Sequence, residues 1–189
     1  MRDIQHIIDG DNGDILKSSL EYLRFRVIGI MSKMESLSGR NLKPLADVPL
    51  GTLRKNATRL HGVCRYNQGI DKRRTDLSPL DVKEVALHPE SLKNEWIRYA
   101  EFLMFHEFLH ALGFSGHNRT FRQLESNWPD TGAKEMGIEF SKYLRQRNAK
   151  FAWKCPNCYW QTKRSMRAAG RYICRTCRVK LLDFALTID

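Results

Sequence analysis

The stretch that most limits what this chain can become is His106-Glu107-Phe108-Leu109-His110, a His-Glu-x-x-His pattern inside an apolar run from Trp96 to Leu112. The run contains neither Pro nor Gly, so it reads as helix. Residues four apart on a helix lie on one face. His106 and His110 can therefore present two imidazoles to one metal ion, and Glu107 can reach a water held there. Hydrolysis at a metal needs this combination: a Lewis acid that lowers the pKa of bound water, and a carboxylate to take its proton. The rival reading is a buried helix with two incidental histidines. Against it stand Glu107, a charge in an otherwise apolar stretch and costly to bury without a use, a sharp stop at Gly113, and a third histidine, His117, just beyond.

At 189 residues the chain suits one ordinary domain with a small appendage. We divide it into residues 1–148 and 149–189. No run of 18 apolar residues exists, so no membrane span is expected. The N-terminus is acidic and lacks an apolar signal core, which points to an intracellular protein, expected as a monomer. The net charge is +11, and it is unevenly placed. Residues 142–189 hold twelve Lys/Arg against two Asp/Glu, while the other 141 residues hold 20 against 19. The basic character therefore belongs to the C-terminal quarter, which suits a polyanionic partner.

In chain order, residues 1–13 read as loose, with Asp14 as a helix N-cap. Residues 15–37 carry Leu16, Leu20, Leu23, Val27, Ile30, Met31, Met34 and Leu37 at helical spacing. Residues 40–56, with Pro44, Pro49 and Gly51, read as a connection. Strands are expected over 57–68 and 82–88. The central helix is expected from about Leu92 to Leu112, capped by Ser91 or Asn94. A short helix over 118–127 and an amphipathic one over 133–147 follow. Cys64 reads as a buried free thiol, and His61 as structural.

The tail reads Cys155-Pro-Asn-Cys158, fifteen residues, then Cys174-Arg-Thr-Cys177. This is zinc-ribbon spacing, each pair offering two thiolates to one tetrahedral ion. Residues Tyr159 to Ile173 suit a β-hairpin with Gly170 near its turn. A module this small cannot bury much core, so metal would supply folding energy. Two disulfides are the alternative, in an exported protein.

A catalytic zinc commonly takes three protein ligands. The third could be His117, Glu125, Glu135 or Glu139. The metzincin pattern needs a histidine at 116, where this chain has Gly116, and Glu125 ranks below His117.

The order of motifs resembles the SprT-like (Spartan-related) zinc metalloproteases. The residues that carry the likeness are His61-Gly62-Val63-Cys64, then Glu84-Val85-Ala86-Leu87, the His-Glu-x-x-His helix, Gly116-His117 with Phe121, and the two C-x-x-C pairs. The short loop before His117 also resembles the YgjP-like metal-dependent proteins. The SprT-like resemblance implies an α+β fold: a small zincin-like core, with a short antiparallel sheet packed on helices, followed by a zinc ribbon. It implies His106, His110 and His117 as ligands of a catalytic zinc and Glu107 as general base and acid. With Cys155, Cys158, Cys174 and Cys177 on a structural zinc, two Zn²⁺ per chain are expected. Substrate commonly adds as a strand at a sheet edge in proteases of this build, and residues 83–88 are the expected edge.

Lys163, Arg164, Arg167, Arg171, Arg175, Arg178 and Lys180 surround the ribbon, with Trp153, Tyr159, Trp160 and Tyr172 interleaved. Basic groups bind phosphate and exposed aromatics such as Trp160 stack on bases, so DNA, single-stranded included, is an expected partner. The leading expectation is a zinc protease that cleaves DNA-bound or DNA-crosslinked proteins. The rivals are a nucleic-acid-binding zinc protein with an inert histidine site, and a metallohydrolase with a non-peptide substrate.

Overall fold

A computed structural model describes residues 2–74 and 76–186, residues 2–12 by backbone alone. Among the described residues the fold is mixed α and β, with four α-helices and two small sheets. The described residues contain no helix long and apolar enough to cross a membrane.

The chain divides into two compact units, Met1–Gly137 and Ile138–Asp189. The sequence division was drawn at 148/149, so the amphipathic helix before it falls almost wholly in the second unit.

The first unit opens with α1 (Arg2–Met31). The expected loose segment is helical backbone, and Asp14 lies inside the helix rather than at its cap. Nothing in residues 2–14 stops a helix once the following turns have nucleated it, since no proline interrupts them. Leu20, Leu23, Val27 and Met31 are buried from this helix, and Met34 and Leu37 follow from the turns after it. Burial of such a stripe, not propensity, is what holds a helix of this kind in place. The helix packs on α2 (Ile97–Ala111). An Arg26–Glu101 ion pair at 2.5 Å joins the two.

β1 (Leu50–Thr52), β2 (Gly62–Tyr66) and β3 (Val82–Leu87) form one sheet in the order β1-β3-β2. β2 runs antiparallel to β3, with Gly62 opposite Leu87 and Cys64 opposite Val85. β1 runs parallel to β3. The sheet is therefore mixed, not purely antiparallel as expected, because a three-residue strand inside the 40–56 connection joins it. Such a strand is too short to show a period-two pattern. β3 is central and carries the buried run Val85, Ala86 and Leu87, as a strand covered on both faces does. Residues 83–88 therefore cannot be the free edge. Among the described residues, the two edge strands are β1 and β2.

α2 starts later than expected. Two short turns, Pro89–Leu92 and Asn94–Trp96, precede it, and neither Ser91 nor Asn94 caps it. Ser91 Oγ instead donates to the His88 carbonyl at 2.7 Å. α2 is buried nearly all round, through Tyr99, Phe102, Met104, Phe105, Phe108 and Leu109. It is the core helix of its unit. α3 (Arg119–Ser126) follows, capped by Asn118, whose Oδ1 accepts from the Phe121 N–H at 3.0 Å.

The second unit holds most of α4 (Met136–Arg147) and a sheet of β4 (Phe151–Lys154), β5 (Gln161–Arg164) and β6 (Leu182–Ala185). Its order is β5-β4-β6, all antiparallel. The hairpin expected within 159–173 does not form. β5 pairs instead with β4, which precedes the first cysteine pair. The paired strands thus flank the first cysteine turn, and the sheet holds that turn at its end.

α2 must end abruptly for the loop to His117 to return over it. Gly113 does this at φ 95°, and a Cβ there would lie 2.6 Å from the Leu77 carbonyl oxygen. Gly113→Ala is expected to destabilise the protein by about 2 kcal/mol or more. Urea denaturation of the two proteins checks this.

Candidate metal centres

α2 places His106 and His110 one turn apart on the same face. The tight turn at Gly113 brings His117 over them. His117 Nε2 lies 3.1 Å from His106 Nε2 and 3.1 Å from His110 Nε2. The three side chains form a group able to hold a metal ion. A tetrahedral ion with Zn–N bonds of ~2.0–2.1 Å sets its nitrogens about 3.3 Å apart, so the spacing fits zinc. Phe121 lies against all three rings, at centroid distances of 4.7–4.9 Å.

The remaining ring nitrogens explain why Nε2 is the free one. His106 Nδ1 bonds Glu125 Oε1 at 2.8 Å, and His110 Nδ1 bonds the Phe114 carbonyl at 2.7 Å. A carbonyl can only accept, so His110 carries its proton on Nδ1 and leaves the Nε2 lone pair open. The Glu125 carboxylate imposes the same tautomer on His106. Burial lowers the pKa of both imidazoles, that of His110 to about 4, so both are neutral and ready to ligate near neutral pH.

Glu125, the lower-ranked candidate from sequence, lies outside the converging histidine group and instead bonds one of its members, His106. Its Oε2 accepts from Lys134 Nζ at 2.6 Å and Arg122 Nη1 at 2.9 Å. Burial alone would raise its pKa. The hydrogen bonds from Lys134, His106 and Arg122 outweigh burial and bring it down to about 2. Glu135 and Glu139 do not join the group, and Glu139 pairs with Lys142. The His106–Glu125 link is invisible in sequence, because the two lie nineteen residues apart on different helices and the loop between α2 and α3 sets their meeting. The turn-spaced Arg122 and Glu125 were the available hint.

Glu107 is 5% exposed and faces β2. Gly62 allows the approach: a Cβ there would lie 2.8 Å from Glu107 Oε1 and 3.0 Å from Leu103. Burial raises the Glu107 pKa to about 8, and a hydrogen bond from the Cys64 backbone N–H partly offsets this. Cys64 itself is a buried free thiol, pushed up to about 12 by burial and by Glu107. Glu107, His106 and Glu125 line one open cleft of about 260 Å³ with Arg59, His61, Tyr99 and Lys134. His61, as expected, is not among the converging ligands.

In the second unit, Cys155, Cys158, Cys174 and Cys177 form the other group able to hold a metal. All are free thiols. Cys158 Sγ and Cys174 Sγ are 3.7 Å apart, far beyond a disulfide's ~2.05 Å. It is close to the roughly 3.8 Å between sulfurs in a tetrahedron with Zn–S of ~2.3 Å. The two turns are built alike. The N–H of Cys155 bonds the Trp160 carbonyl and that of Cys174 the Val179 carbonyl, each at 2.8 Å. The residue after each second cysteine, Tyr159 or Arg178, takes positive φ near 58–59°. Trp153, Cys155, Ala168, Cys174 and Leu181 make the small core. Trp153 donates to the Met166 carbonyl and stacks on Tyr172, so it is structural.

The basic residues expected to meet nucleic acid separate. Lys163 and Arg164 lie on β5, Arg167 and Arg171 flank the turn at Ala168–Gly170, and Arg175 and Arg178 sit on the second cysteine turn. Trp160 is half exposed. Arg164 and Arg167 lie over the rings of Trp153 and Phe151. An open groove of about 640 Å³ joins Lys163 and Arg164 to Lys142, Arg145, Lys154 and Phe184. Sequence reasoning missed Lys142 and Arg145, although their i, i+3 spacing on α4 was visible.

Two measurements test this arrangement. The folded chain holds the Glu107 proton above the usual 4.5, so metal-free protein loses stability as pH rises from about 4.5 towards 8. Glu107→Gln, which keeps the acceptor, should therefore stabilise metal-free protein at pH 8 by on the order of 2–4 kcal/mol in thermal melts. Glu125→Gln should weaken zinc binding at the histidine site about 10–100-fold in competition with a chelator, leaving the cysteine site unchanged. Set beside protein-family models, curated proteins and solved structures, the chain matches none, and what bears on its chemistry is the geometry of these side chains.

Proposed function

We propose that this chain is a zinc-dependent peptidase with a zincin-like core, of the SprT-like type its motifs resemble, and that its second unit is a zinc ribbon carrying it to DNA. One observation carries the proposal: three imidazoles converge their Nε2 atoms, and the buried Glu107 carboxylate lines one cleft with His106 of that group. A purely structural metal site has no use for that carboxylate, and burying it costs stability.

His106, His110 and His117 would hold the zinc, which when bound supplies Lewis acidity and lowers the pKa of water in the cleft. The rest is done by the chain. Glu107 accepts the proton of the attacking water and passes it to the leaving amine. A carboxylate fixed beside the ion can both take and give that proton. The free edge of β2 lies beside Glu107, and the Cys64 N–H ties the carboxylate to that strand. An extended peptide laid along β2 would therefore pass the catalytic carboxylate.

For the second unit, support comes from the charge of residues 142–189 and the groove of Lys142, Arg145, Lys154, Lys163 and Arg164. Cations gathered in one groove bind a phosphate backbone with strong salt dependence. The exposed rings of Tyr159, Trp160 and Phe184 offer stacking surfaces. DNA-bound proteins are then the substrates brought within reach.

The test is metal content together with cleavage of a DNA-binding protein, with and without single-stranded DNA. Expected are two zinc per chain, DNA-stimulated cleavage, and loss of at least ~10³-fold activity in Glu107→Gln with zinc retained. Exchange of Lys142, Arg145 and Lys163 for Gln should weaken DNA binding and flatten its salt dependence. Two zinc without cleavage under any DNA condition would refute the peptidase.

A further inference from the structure

Four charged side chains line the cleft beside the histidine group: Arg59, Glu107, Glu125 and Lys134. Three of them are engaged. Glu125 bonds His106, Arg122 and Lys134, and Lys134 is answered by that same carboxylate. Glu107 is buried against β2, where it takes the Cys64 N–H. Arg59 differs. Its side chain is exposed, and among the described residues no hydrogen bond, ion pair or ring contact engages it.

Its backbone is nevertheless held. Arg59 sits midway along residues 57–61, a short arch fixed at both ends by one fully buried residue, His88. His88 Nε2 bonds the Ala57 carbonyl at 3.1 Å, and the His88 N–H donates to the His61 carbonyl at 2.7 Å. At the far end of the arch His61 Nδ1 lies 2.7 Å from the Tyr99 hydroxyl, and both residues line the cleft. The arch leads directly into β2, which begins at Gly62.

A guanidinium that no acid of the chain answers is complemented by a carboxylate, which its planar fork can hold through two parallel N–H···O bonds. Phe102 and Leu103 line the same cleft from α2 and offer apolar surface to the methylene stem of a glutamate. A cationic substrate side chain would meet Arg59 and Lys134 together, and like charges exclude it. The reach also suits a peptide on β2. Arg59 is three residues before Gly62, which packs against Glu107, a separation of at most about 11 Å along the chain. An extended peptide covers that span in about three residues. In a protein held on DNA the basic segments face phosphate, so acidic segments are the ones left free to enter.

We propose that Arg59 is a specificity-determining residue, binding an acidic side chain of the substrate, glutamate above all, within about three residues of the scissile peptide. This deepens the peptidase reading and rests on it. No bond forms or breaks at Arg59, which acts by binding alone.

The test reads binding apart from cleavage. Peptides of one extended sequence carry Glu, Gln or Lys at each of the three positions on either side of the central bond. Their affinities are measured by fluorescence anisotropy on the zinc-loaded full chain carrying Glu107→Gln, alone and combined with Arg59→Ala or Arg59→Glu, with zinc content matched. Glu should bind about tenfold tighter than Gln at one position or more. Arg59→Ala should bring that ratio to about one, and Arg59→Glu should turn the preference to Lys. Added salt should shrink the preference. A Glu-to-Gln ratio within about twofold of one at every position overturns the proposal, as does a preference that persists in Arg59→Ala. So does Arg59-dependent binding of single-stranded oligothymidylate tighter than that of the Glu peptide, which gives this cation to nucleic acid. Cleavage by the wild-type chain separates the two readings. An Arg59-dependent preference in a chain that cleaves no peptide retains the carboxylate site and rejects the peptidase; cleavage without any preference overturns the site and keeps the peptidase.

Discussion

The Glu107 carboxylate lies in a helix otherwise packed with phenylalanine and leucine, 5% exposed and held by one backbone N–H from β2. Much of the first unit can be read as what keeps that arrangement in place. α2 has to be the core helix, because only burial on most sides fixes the two histidines that flank the carboxylate. β2 has to come close enough to donate its N–H, and only glycine at 62 permits that approach. The result is a stable core with an unstable spot in it, where the folded chain would be better off with a neutral side chain. Perturbed carboxylates of this kind cluster at functional sites.

Around the histidines the same logic runs outward. Each ring of the α2 pair has one nitrogen committed to an oxygen acceptor, so the other is left aimed at a common point. Glu125 can do this for His106 only because Lys134 and Arg122 keep it ionised while buried. The charge is passed to the surface in two short links. Loss of either cation should loosen the ring that the carboxylate orients, far from any direct contact with a metal.

The second unit solves a different problem. Its core of Trp153, Ala168, Leu181 and two cysteines is small, and such a core gains little from burial alone. Four thiols within 4.8 Å of one another gather beside that core, and two turns of the same construction present them. The positively charged side chains are left outside, partly lying on aromatic rings and partly gathered in one groove.

The sequence by itself determined that His106 pairs with His110 and that the four cysteines form two matched pairs, while it left the third member of the histidine group open. His-Glu-x-x-His is legible because helical spacing turns i, i+4 into a shared face, and C-x-x-C because a tight turn brings its two sulfurs together; both are local geometry. It also determined which helices carry the core, one by a stripe at helical spacing from Leu20 to Met31 and the other by an apolar run without Pro or Gly from Tyr99 to Ala111. Only the tertiary structure decided that β3 is central with β1 and β2 at the edges, that a three-residue parallel strand completes the sheet, and that β4 and β5 pair around the first cysteine turn rather than within 159–173. It alone decided that Glu125 orients His106 and that His61 meets Tyr99. These are pairings between residues far apart in the chain. What joins them is the fit of buried surfaces and the need of every buried polar atom for a partner, neither of which leaves a fixed spacing in the sequence.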